Sequence, residues 1–136
     1  HMNMITCAIA NDGLLMKPRF VDRVLSANGS IVKIFENEEY ARLLTPEESD
    51  VLTELMIGVV NEGTATKLKT DAYQAAGKTG SAEYNGVKED SHAWFTGFAP
   101  ADDPEIAVTI IIEGIGSGGD YSAPIAKRIF DAYFAE

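Results

Sequence analysis

Residues 75–83 read AAGKTGSAE. The letters Gly77-Lys78-Thr79 close the phosphate-binding pattern G-x-x-x-x-G-K-[ST]. That pattern needs a glycine at 72, and the residue there is Ala72. It also needs a buried strand before it, but KLKTDAY (67–73) precedes it. A helix should open right after the lysine, so that its amides face the phosphates. SAEYNG (81–86) follows instead, and Gly86 breaks any helix early. Nucleotide binding is set aside on these three counts, and 75–84 is expected to be a strand. Alternation then sends Lys78 and Gly80 to one face and Thr79 and Ser81 to the other. On such a strand Lys78 supplies positive charge, and Gly80, without a Cβ, lets a substrate approach the backbone.

The neighbouring segments support a strand. His92–Ala99 and Ile106–Glu113 are apolar, β-like runs joined by PADDPE, a compact turn with Asp102, Asp103 and Pro104. Short connections argue for antiparallel pairing. Asn85-Gly86 and the charged residues 88–91 mark the preceding connection. GIGSGGD (114–120) is expected to be a flexible loop, and Ser122-Ala123-Pro124 opens a terminal helix. Ile125, Ile129, Phe130, Tyr133 and Phe134 share one face of that helix. Upstream, Thr45, Pro46 and Glu48 spell an N-cap with a capping box for a helix over 46–61. Its apolar stripe is Val51, Leu52, Leu55, Met56, Val59 and Val60. Residues 64–74 are expected to be a loop with a helical turn.

Further back, Phe20–Leu25 and Ile31–Phe35 flank SANGS, whose Asn28-Gly29 predicts a type I′ hairpin. Residues 3–12 form a short helix stopped by Asp12-Gly13, with Gly13 as a left-handed cap. The expected class is α+β: a three-stranded antiparallel meander and a separate hairpin, packed with helices.

Composition is that of one globular domain: 136 residues, 46% apolar and 24% charged. A net charge of −10 argues against nucleic acid and against anionic lipid. The one cysteine, Cys7, forms no internal disulfide and is expected to be a buried small hydrophobe. No apolar run reaches the roughly 18 residues of a membrane span. His1-Met2 has the look of a cloning remnant, leaving 3–136 as a piece of something longer.

Lys-Thr-Gly on a strand, followed by Ser or Thr, is also the third motif of the serine acyl-transferases. Around it stand HAWFTGFAPADDPEIAVTIIIE (92–113), GGDYSAPIAKRIFDAYF (118–134), ITCAIANDGLLMKPRFVDRV (5–24) and VLTELMIGVVNEGTATKL (51–68). In this order the segments closely resemble the C-terminal part of the transpeptidase domain of class B penicillin-binding proteins. The fold so implied is part of the penicillin-binding-protein and β-lactamase-like fold. The resemblance makes Lys78, Thr79 and Gly80 the third motif. It implies that the Ser81 hydroxyl binds a substrate or β-lactam carboxylate, and its N–H forms half of an oxyanion hole. It also implies that Trp94 shapes the cleft, although plain core packing explains Trp94 as well. His92 is expected to make a loop hydrogen bond rather than do acid–base chemistry.

The family's chemistry further needs a helix-borne Ser-x-x-Lys and a facing Ser-x-Asn. Ser30-Ile-Val-Lys33 and Ser26-Ala-Asn28 match the letters only. The first lies in a predicted strand, where residues three apart point to opposite faces. The second is explained by turn chemistry. No nucleophile is therefore expected in this chain, which alone is inactive. The resemblance implies a bacterial parent D,D-transpeptidase of cell-wall synthesis, membrane-anchored and facing outward. It would cross-link peptidoglycan stem peptides and be acylated by β-lactams. It implies no metal or cofactor. The contrasting reading is a non-catalytic interaction module that keeps the KTG strand for structure. In the family the 106–112 strand pairs with a strand absent here, so its apolar edge is expected to self-associate.

Overall fold

The computed structural model describes residues 1–84, 86 and 90–135. Along the chain run α1 (Met2–Ala10), β1 (Leu14–Met16), β2 (Arg23–Leu25), β3 (Ile31–Ile34), β4 (Glu39–Arg42) and α2 (Pro46–Asn61). A 3-10 turn (Thr66–Leu68) leads to β5 (Ala76–Ala82), β6 (His92–Ala99), β7 (Ile106–Ile112) and α3 (Ser122–Phe134). Of the expected turn at Asn85-Gly86 and connection 88–91, residues 85, 88 and 89 lie outside the described residues.

The meander is present, as a three-stranded sheet in the order β5-β6-β7 with both pairings antiparallel. Its two faces carry separate cores, because β6 alternates between them. Phe95 and Ala99 pack with Val60, Leu68, Ala123, Ala126 and Phe130 on the α3 side. Phe98 and Ala76 pack with Met56 from α2, and Ile9 of α1 lies against them. α1 is tied to this second face by hydroxyls. Thr6 Oγ1 lies 2.5 Å from Thr96 Oγ1, which is 2.6 Å from Thr109 Oγ1. Thr109 in turn donates to Asn3 Oδ1.

α2 begins as its sequence dictates. The Glu48 amide donates to Thr45 Oγ1, and the Thr45 amide donates to the Glu48 carboxylate. The buried side of α2 is narrower than the apolar stripe, however. Met56 and Val60 are buried, while Val51 and Leu55 are exposed. The same holds for α3, where Ala123, Ala126 and Phe130 are buried but Ile125, Ile129 and Tyr133 stay partly exposed. Ala123 and Ala126 share the buried face of α3 with Phe130, and an apolarity pattern built on large side chains does not mark them.

Two corrections concern the first 44 residues. The hairpin of β2 and β3 is present, but its turn is not type I′, because Asn28 lacks positive φ. The Gly29 amide donates to the Ser26 carbonyl and only Gly29 is left-handed, which is a type I turn with a glycine bulge. The hairpin also extends a longer ribbon, since β1 pairs with β4 (Leu14↔Arg42), a pairing whose three-residue β1 is too short to be foreseen. Gly13 ends α1 as expected: its φ is +80°, and its amide donates to the Ala8 carbonyl. Cys7, in contrast, is exposed rather than buried. Partial burial still pushes its thiol pKa up, so it is not an activated thiolate.

Candidate functional site

β5 runs extended from 76 to 82, so Lys78 rides a strand and not the start of a helix. The expected alternation holds. Lys78 is exposed and Thr79 is buried, with Gly80 half-buried. β5 pairs with β6 alone, which leaves its other edge without a strand partner among the described residues.

Lys78 Nζ donates to the Thr79 carbonyl at 2.6 Å. In an antiparallel ladder the backbone groups of residues i and i+2 point to the same side. The Ser81 N–H thus lies on the strand side of the carbonyl that holds the ammonium. Gly80 sits directly opposite Trp94, and a Cβ on Gly80 would come within 3.2 Å of the Trp94 Cβ. Lys78, Gly80, Ala82, Trp94 and Thr96 line a groove of about 410 Å³, closed at one end by Met2 of α1. The groove's walls are largely apolar, and the lysine is the one charged residue that lines it. It therefore offers a cation at the rim of an apolar wall, a setting suited to a carboxylate with an apolar body. A second groove, about 510 Å³, lies between α1 and β1 around Cys7 and Lys17. Its Lys17 ammonium is taken up by the Glu38 carboxylate.

Behind the strand, two segments with no expected role reach the motif. Thr79 Oγ1 lies 2.5 Å from Thr64 Oγ1, just past the end of α2. The Gly118 amide donates to Ser81 Oγ at 3.4 Å. That contact leaves the hydroxyl proton of Ser81 free to donate elsewhere. A Cβ on Gly118 would collide with the Gly80 and Trp94 carbonyls. The 114–120 loop is thus packed against the motif, not loose as expected. The adjacent glycines Gly118-Gly119 were the available signal, because glycine pairs also mark close backbone approach.

His92 makes a loop contact: its Nδ1 accepts the Gly114 amide at 3.1 Å, and its ring stacks on Tyr84. The side chains of the Ser-x-Asn letters are used up locally. Ser26 Oγ donates to Asn28 Oδ1 and the Ser30 amide donates to the same oxygen. Lys33 Nζ stands 4.3 Å from the ring centre of Phe35. Among the described residues, no group of three or more His, Cys, Asp or Glu side chains could hold a metal ion. No helix is long and apolar enough to cross a membrane among them.

The family model described as the penicillin binding protein transpeptidase domain matches residues 1–131. The chain belongs to that family. It is 32% identical to the peptidoglycan D,D-transpeptidase PbpA of Mycolicibacterium smegmatis, over 97% of this chain and 28% of that protein. It is 31% identical to the peptidoglycan D,D-transpeptidase MrdA of Haemophilus influenzae, over 94% of this chain and 22% of that protein. Among solved structures, the D,D-transpeptidase domain of a peptidoglycan glycosyltransferase from Eggerthella lenta superposes with a TM-score of 0.87 at 32% identity. That alignment covers 98% of this chain and 31% of the other. Penicillin-binding protein A of M. tuberculosis, as its imipenem acyl-enzyme complex, gives 0.84 at 30% identity, over 96% and 29%. The chain therefore spans less than a third of the length of each of these relatives.

Proposed function

We propose that this chain is the third-motif wall of a peptidoglycan D,D-transpeptidase cleft, and that a further segment carries the nucleophile. The observation that supports this most is the placement of Lys78 and Gly80 on the groove face of β5, across from Trp94. In this reading the Lys78 ammonium attracts the carboxylate of the stem peptide or of a β-lactam. The Ser81 hydroxyl, with its proton free, donates to that carboxylate. The Ser81 N–H supplies half of the oxyanion hole as the tetrahedral intermediate forms. Thr79 anchors the strand, Gly80 keeps the backbone approachable and Trp94 walls the groove.

In the parent the serine attacks the carbonyl of the penultimate D-Ala. The bond to the terminal D-Ala breaks, D-Ala leaves, and a neighbouring amine takes the acyl group from the serine ester. A β-lactam would stop the cycle at the ester stage. The catalytic serine and its lysine lie outside this chain in this proposal, so residues 3–136 have no transpeptidase activity alone. The parent acts outside the cytoplasmic membrane, where its substrate is.

Fluorescent penicillin followed by denaturing electrophoresis tests this. The enzyme carrying this segment together with its Ser-x-x-Lys half should be labelled covalently, and the 136-residue chain should not. Labelling of the short chain at Ser30 or Ser26 would overturn the assignment of the nucleophile to another segment. An unlabelled full enzyme would favour an interaction module instead.

A further inference from the structure

We propose that Thr64 is a positioning residue for the KTG strand, acting through Thr79. This rests on the transpeptidase reading above. Thr64 stands where the chain wraps back under the end of α2. The Gly63 and Ala65 amides both donate to the Val59 carbonyl, at 3.2 and 3.1 Å. The wrap points the Thr64 hydroxyl at the hydroxyl of Thr79, 2.5 Å away. Thr79 is 7% exposed, so water is a poor substitute for this partner.

The loop after β7 closes the arrangement. Gly119 packs on the Thr64 carbonyl so closely that a Cβ there would collide with it. Gly118 lies over Gly80 and donates its amide to Ser81 Oγ. Lys67 and Asp120 bridge the two segments at 2.7 Å. The end of α2, the 114–120 loop and β5 therefore meet around residues 79–81.

A β-branched side chain has few χ1 choices, so fixing the Thr79 hydroxyl fixes the roll of the strand about its own axis. That roll aims Lys78 and the Ser81 N–H. Misplacement of such groups by about 1 Å costs on the order of a hundredfold in rate. Thr64 itself lines none of the groove, so it acts by aim and not by contact with substrate.

The test uses the enzyme carrying this segment with its nucleophile-bearing half, measured by stopped-flow acylation with a penicillin. Thr64→Val keeps the shape and removes the hydroxyl, and Thr64→Ser keeps the hydroxyl. T64V should lower the acylation step about tenfold, with initial penicillin affinity little changed. T64S should recover most of that loss at the same melting temperature. In a Thr79→Val background T64V should add nothing, since its route is gone. T64V acylated like the unmutated enzyme, or a T64V loss undiminished in the Thr79→Val background, would overturn the role. If T64V does not fold, Thr64→Ala carries the same comparison. An unmutated enzyme that penicillin does not acylate would overturn the transpeptidase reading, and this role with it.

Discussion

Gly97 shows how tightly single residues constrain the site. A Cβ on Gly97 would meet the Phe95 ring at 2.8 Å and the Gly77 Cα at 2.9 Å. Both neighbours are buried, and Gly77 precedes Lys78 directly. Gly97→Ala should therefore destabilise the chain by about 1–3 kcal/mol, as overpacking does. Gly58, exposed in the last turn of α2, meets nothing within 4 Å. Gly58→Ala should stabilise the chain by roughly 0.5–1 kcal/mol, since glycine is the poorer helix former. Urea denaturation of the two variants checks both signs. The sequence marked Lys78, Thr79, Gly80, Ser81 and Trp94 as site candidates because a short pattern names residue types with definite chemistry. Thr64 and Gly118 escaped notice. Their significance lies in contacts across 15 and 37 residues of chain, and no local pattern encodes those.

At the scale of elements, helix ends were the most legible features. Thr45-Pro46 and Glu48 encode a start whose hydrogen bonds are made within four residues, so the expected bounds of α2 match the structure. The hairpin turn was legible in place but not in type, because Asn-Gly serves more than one turn geometry. The β1–β4 ribbon was not legible, since its pairing depends on the tertiary fold rather than on β propensity. A polar cluster now links α3 to the segment before β5. Tyr73 donates its hydroxyl to Asp131, which also pairs with Lys127 at 2.6 Å. The Lys127 ammonium, then the Tyr73 hydroxyl, holds the Asp131 carboxyl below its usual range near 3.8. The matching Tyr73 phenol is raised, by burial first and by Asp131 second. A lowered carboxyl pKa stabilises the fold above the unfolded value, and that contribution fades as pH falls through the folded one. Asp131→Asn should thus destabilise the chain slightly at pH 7, by well under about 1 kcal/mol for so exposed a pair, and lower the melting temperature a little. The gap from the unmutated chain should narrow below pH 4 and close at lower pH. Melting curves across pH 2–7 check this, and a gap constant with pH would refute it.

For the whole molecule, the sheet is open on both sides among the described residues: β5 and β7 each pair with β6 only. Ile111 on β7 is 46% exposed, and Val24, Leu25, Ile31, Val32 and Ile34 of the hairpin are exposed on both of its faces. Unpaired strand edges beside apolar side chains favour pairing with another chain. We expect the 136-residue chain to self-associate through β7 in sedimentation velocity, and Ile111→Lys to shift it toward monomer. A monomer at all concentrations in the unmutated chain would remove this edge as an interface. The two edges differ in chemistry. β7 presents β-branched side chains, whereas β5 presents a lysine, a glycine and a serine beside a groove. Such a division suits one edge joined to more sheet and the other left open for substrate. The acylation rate of the enzyme carrying this segment, compared between its unmutated form and Lys78→Met, tests that assignment most directly. The rate should fall about a hundredfold or more with the melting temperature retained, because an exposed cation is lost from the groove and not from the core. A K78M enzyme acylated at the unmutated rate would contradict it.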